Sequence, residues 1–136
     1  MATDPDGDLV TYLAANIAAL TANVNLFASK RQAAGDGIPH LAVFVLATGG
    51  PGPEAYVEGG SGDERRYSAV QVMSRSAPDE YNASKTLARL ILNTLHHATI
   101  TGYLDVRVLE TEPNYLGEDD SGDHLWTSNF ELFHEE

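Results

Sequence analysis

The sequence predicts an α+β domain: a mainly antiparallel sheet with two helices packed on one face, in the order α-β-β-β-α-β-β. Three observations carry this reading. Trp126, Ser128, Phe130 and Leu132 alternate with Thr127, Asn129 and Glu131, the period of two that marks a half-buried antiparallel strand. Leu9, Leu13, Ile17, Leu20, Val24 and Phe27 recur at spacings of three and four, which lines one face of a helix. Leu41–Leu46 is continuously apolar and short, as in a buried strand. The strand at Trp126–Leu132 comes last, so the sheet is expected to draw on both halves of the chain. The 136 residues suit one domain, 1–136, able to bury about two-thirds of its unfolded surface.

Taken in order, residues 1–7 are expected to be a flexible lead, with Asp4 or Asp6 capping a helix over Asp8–Ser29. Gly35-Asp36-Gly37 stops that region and Pro39 introduces an extended segment. After the strand Leu41–Leu46, the run Gly49–Pro53 turns the chain and Ala55–Val57 is a weak return strand. Gly59–Asp63 is a loop and Tyr67–Ser74 the next strand. Ser76-Ala77-Pro78-Asp79 carries helix-start chemistry: a hydroxyl cap, a proline for the first turn and a carboxylate to reach back. The inner face of this second helix is Tyr81, Ser84, Leu87, Ala88, Ile91 and Leu95, with His96 and His97 in its last turn. Leu104, Val106 and Val108 alternate as a strand. The segment Thr111–Asp123 is too long for a hairpin turn and reads as a loop acting as a contact arm.

Twenty acidic residues against eight basic ones give a net charge of −12. Nucleic-acid affinity rests on neutralising phosphates with Lys and Arg, so duplex DNA should be repelled. There is no cysteine, which removes disulfides and thiolate metal sites and suits a cytosolic setting. No apolar run reaches the ~18–20 residues of a membrane span, and the acidic start has no signal-peptide pattern.

The chemistry-bearing motifs are sparse. His96 and His97 are adjacent, so on a helix they point about 100° apart and share no metal face; the positive charge of a histidine instead suits a helix C-terminus. His40, His124 and His134 have no metal-ligand spacing. Glu118, Asp119, Asp120 and Asp123 in GEDDSGD hint at a hard cation but lack EF-hand spacing; a solvated acidic turn and a partner contact are the other readings. The glycine-rich loops carry no phosphate-cradle motif, and no GxSxG elbow is present. No catalytic role and no cofactor is expected. The adjacent Arg65 and Arg66 are expected either to ion-pair locally with Asp63 and Glu64 or to reach across a subunit boundary, the local pairing being favoured. Tyr115 either folds back onto the sheet or anchors a partner, since aromatics dominate interface hot spots.

The order of strand, E-x-E-P-N-Y-L-G, acidic turn and W-x-x-N-F-E-L strand in Gly102–Glu136 resembles the tail-terminator (minor capsid, tail-completion) proteins of long-tailed bacteriophages. Leu41–Val57 is similar to that family's first hairpin, and Tyr67–His97 to its strand and helix, so the resemblance covers most of residues 38–136. It implies a virion protein at the tail–neck junction, assembled in the host cytoplasm: a homohexameric ring that caps the tail tube and joins it to the head. Its partners are then its own copies, the tube protein and a head–tail connector or neck protein, while genomic DNA passes through without specific binding. On this reading Pro113, Asn114, Tyr115, Leu116, Gly117, Glu118, Asp119 and Asp120 contact a partner, and Glu54, Glu58, Asp63 and Glu64 line an acidic lumen. A head-closure or neck connector and a small cytosolic cation-binding domain are the alternatives.

Overall fold

The computed structural model describes residues 4–29, 38–49, 54–55 and 64–135. Its elements are α1 (Pro5–Asn16), β1 (Leu26–Phe27), β2 (Ala42–Gly49), β3 (Glu54–Ala55), β4 (Glu64–Ser76), α2 (Tyr81–Leu95), β5 (Asp105–Val108), β6 (Asn114–Glu118) and β7 (His124–Glu135). Among the described residues, the seven strands form one sheet in the order β1-β2-β4-β7-β5, with β3 beside β4 and β6 beside β7. Among the described strands the β1–β2 pairing is parallel and the others are antiparallel. This is the α+β architecture that the sequence predicts, with two further short strands, β1 and β6.

The sheet is built on β4 and β7, which pair over twelve antiparallel positions from Arg65↔Glu135 to Ser76↔His124. Alternation then decides what is buried. Val43 and Val45 of β2, Val70 and Val72 of β4, and Phe130 and Leu132 of β7 share one face. Leu9 and Leu13 of α1 and Leu87, Ile91 and Leu95 of α2 pack against them to form the core. Burying each such side chain contributes roughly 1.5–3 kcal/mol. The opposite face carries Gln71, Met73, Asn129 and Glu131, all half-buried.

Four sequence expectations are corrected. The first helix starts earlier and ends sooner than Asp8–Ser29: Pro5 opens it and Ile17 is already extended. Within the expected lead 1–7, Pro5–Gly7 are helical, and residues 1–3 lie outside the described residues. Asparagines stand at the helix end and along the segment that follows it. Asn16 Nδ2 donates to the Tyr12 carbonyl, Asn25 accepts from Thr21 N and donates to the Ala19 carbonyl, and Asn23 adopts φ 66°. Asn side chains compete with helical hydrogen bonds and tolerate left-handed backbone. Ile17 and Leu20 are still buried, but from a loop, while Val24 is exposed.

The second helix begins at Tyr81 with no side-chain cap. Ser76 instead ends β4, and its hydroxyl donates to the Glu80 carbonyl across the turn. The inner face is otherwise as expected, with Leu92 added and Tyr81 left partly exposed. His96 and His97 tie the helix end to β5: Val108 N donates to His96 Nδ1, and His97 N donates to the Val106 carbonyl. Finally, Thr111–Asp123 is not a loop throughout, because β6 lies inside it and forms a hairpin with β7.

Candidate functional site

The acidic segment that follows β6 folds as a turn through its own side chains. Asp119 Oδ1 accepts from the backbone N–H groups of Ser121 and Asp123, and Gly122 takes φ 82°. Asp123 then points inward and is fully buried. Both its carboxylate oxygens lie within 2.9 Å of His40 Nδ1, and Arg75 Nε stands 3.5 Å away. Arg75 is buried as well; it donates to the carbonyls of His40 and Pro39 and its guanidinium stacks 5.2 Å from the Phe44 ring centroid. One arginine thus joins the strand end of β4, the segment before β2 and the β6–β7 turn. Two of the four carboxylates in GEDDSGD are taken up in this way. Among the described residues, no three His, Asp or Glu side chains converge as metal ligands.

Beside this turn lies an aromatic cluster made by β6, β7 and the start of α2. Register places Tyr115 opposite Trp126 and Glu118 opposite His124, on the helix side of the sheet. His124 Nε2 lies 2.8 Å from the Pro78 carbonyl, which can only accept. In the neutral ring Nδ1 is therefore the acceptor, and the Tyr115 hydroxyl donates to it at 2.8 Å. Trp126 Nε1 donates to Ser84 Oγ, which itself donates to the Tyr81 carbonyl. Tyr81 closes the cluster, with ring centroids 5.4 Å from Tyr115, 5.4 Å from His124 and 5.5 Å from Trp126. Desolvation, then the negative charge of Glu118, then Tyr81 push the Tyr115 hydroxyl above its ordinary value of 10.0. It stays a proton donor throughout the neutral range.

The inner part of the cluster is closed and the outer part is not. Trp126 and His124 are buried, whereas Tyr81 is 39% exposed, Tyr115 43% and Leu116 54%. Leu116 is the extra residue of a β-bulge: Tyr115 pairs with Trp126 and Gly117 with Leu125, which leaves Leu116 without an opposite number. Gly117 supplies φ 94° there, a conformation that suits glycine. Among the described residues, β7 is the strand paired with β6, so the outer edge of β6 borders no other strand.

The sequence-predicted contact residues Pro113 to Asp120 therefore fall on β6 and its flanks. Tyr115 both folds back onto the cluster and keeps an exposed edge. Of the lumen candidates, Glu54 and Glu64 are placed as backbone, in β3 and β4, and Glu58 and Asp63 lie outside the described residues. Arg65 and Arg66 are placed as backbone of β4 opposite Glu135 and His134.

Compared with protein-family models and with curated proteins, the chain finds no match.

Sequence reasoning missed Arg75, His124 and the outward side of Tyr81. The signal for Arg75 was a single charged residue at the end of the strand Tyr67–Ser74, without a compensating neighbour in sequence. For His124 it was position: it stands two residues before Trp126 on the same face of a strand.

Proposed function

We propose that this protein is a structural virion component: a tail terminator that assembles as a homohexameric ring, caps the tail tube and joins it to the head–neck. The reading of an assembly protein rests chiefly on one observation. The β6 edge presents Tyr115 and Leu116 to solvent, next to Tyr81, where fold stability alone calls for no exposed apolar groups. The tail-terminator assignment rests on the sequence resemblance of residues 38–136 and on the excess of acid, which suits a channel that DNA crosses without adhering. On this reading Glu54, Glu58, Asp63 and Glu64 face the lumen, and the segment Pro113–Asp120 meets a partner.

The test is the mass of the assembled protein by sedimentation, together with binding to free ends of purified tail tubes. A sixfold assembly that caps tubes is the expected result. A monomer that ignores tubes overturns the proposal, and binding to head connectors instead of tubes transfers the protein to the neck.

A further inference from the structure

We propose that the patch formed by Tyr81, Tyr115 and Leu116 docks a basic segment of a partner protein, with an arginine or lysine side chain seated on the tyrosine rings. The inference deepens the assembly reading above and rests on it for the partner's setting. Its chemistry stands on three local observations.

The first is a contacting ring pair with an exposed apolar residue beside it in the chain. Tyr81 and Tyr115 meet edge to face with centroids 5.4 Å apart, and Leu116 follows directly along β6. The aromatic residues are pinned from beneath by His124 and Trp126. A platform held in place loses little conformational freedom on binding.

The second is the sign of the rim. Asp79 and Glu80, just before Tyr81, are exposed. Glu118 and Asp120, on the other side, are exposed too. The two sides are neighbours in space, because the Pro78 carbonyl meets His124 and the Pro78 ring lies against Gly122. On α2, Lys85 stands one turn beyond Tyr81, and Arg89 is already paired with Glu112 at 2.9 Å. The rim remains acidic with both counted. Ring faces of tyrosine are themselves negative and attract cations. A second copy of this chain would bring a further −12. The complementary occupant is therefore a basic segment of another protein.

The third is the bulge. It interrupts the β6 ladder at Leu116, so the edge is poorly suited to adding a long strand. Recognition falls to side chains instead.

The experiment measures hydrogen–deuterium exchange and affinity on the full chain, in whatever oligomeric state it adopts. The probes are a short peptide alternating arginine and serine, and its glutamate counterpart. Slower exchange confined to segments 78–84 and 113–120, with the arginine peptide only, is expected. The double variant Tyr81→Ser/Leu116→Ser should then bind about tenfold more weakly. Glu118→Gln/Asp120→Asn, which leaves the aromatic platform intact, should also weaken binding and keeps the test open if the first variant fails to fold. Protection spread over all acidic segments, or affinity unchanged in both variants, overturns the proposal. So does protection of the same two segments on concentrating the protein without peptide, which would make a second copy the occupant. Assemblies that cap tubes but ignore the peptide would sink this inference alone and leave the assembly reading standing.

Discussion

Arg75 donates to the carbonyls of Pro39 and His40 and stands beside Asp123, and neither charged side chain reaches solvent. Removing one member of such a pair leaves the other charge buried and poorly compensated, whereas removing both spares that cost. Arg75→Met is expected to destabilise the fold by about 3–5 kcal/mol in urea titrations. Adding Asp123→Leu to it should recover part of that loss, and a strictly additive double variant would show that the two groups are not coupled. A weaker pair sits at the far end of α2. His97 Nδ1 meets Asp105 Oδ1 at 3.0 Å, and this hydrogen bond, opposed in part by desolvation, holds the Asp105 carboxyl below its ordinary value of 3.8. A carboxyl held low in the folded state stabilises it fully above 3.8, and the contribution disappears as pH falls through the lowered value. Asp105→Asn should therefore cost less than about 1 kcal/mol near neutrality, as for exposed pairs. The gap between wild type and variant should close in unfolding curves recorded below pH 3.8.

At the level of elements, β6 depends on Gly117. Its φ of 94° disfavours any residue with a Cβ, although nothing lies within 4 Å of where that atom would sit. Gly117→Ala is thus expected to cost about 1–2 kcal/mol through backbone strain alone. Thermal unfolding reads this directly, and an unchanged midpoint would mean that the hairpin relaxes without loss. The same residue explains why β6 was hard to see in sequence. Asn114–Glu118 has no period of two, because a bulge shifts its alternation and its pairing is dictated by β7. Likewise β1 is two residues inside a stretch whose apolar spacing reads as helix; side-chain hydrogen bonds of Asn16 and Asn25 and the left-handed backbone of Asn23 accompany the change of direction, and spacing records none of them. By contrast α2 and β7 were legible. Leu87, Ile91 and Leu95 keep helical spacing, and Phe130 and Leu132 keep strand alternation, because each element buries one face against the same core. The candidate patch was legible in part. Tyr115 and Leu116 stood out as apolar residues in an acidic run, but Tyr81 joins them only through the packing of α2 on β7.

On the scale of the whole molecule, the net charge of −12 dominates. If the proposed ring forms, identical acidic subunits crowd around one axis and repel each other. Salt screens that repulsion, with a Debye length near 3 Å at 1 M. Sedimentation across a salt series should show the ring weakened at low salt and favoured at high salt. Dissociation on adding salt would reveal attractive ion pairs between subunits instead. The long β4–β7 ladder has a different bearing, on how the chain reaches this state. Residues 77–123 separate the two strands, yet β5 and β6 have no place in the sheet until β7 arrives to pair with them. During synthesis β4 therefore emerges with one side completed by β2 and the other waiting. Such non-local pairing raises contact order and slows folding, and a waiting strand edge is open to the wrong neighbour. The acidic charge that burdens a ring would protect the chain in that interval, because nascent copies carrying the same sign keep apart.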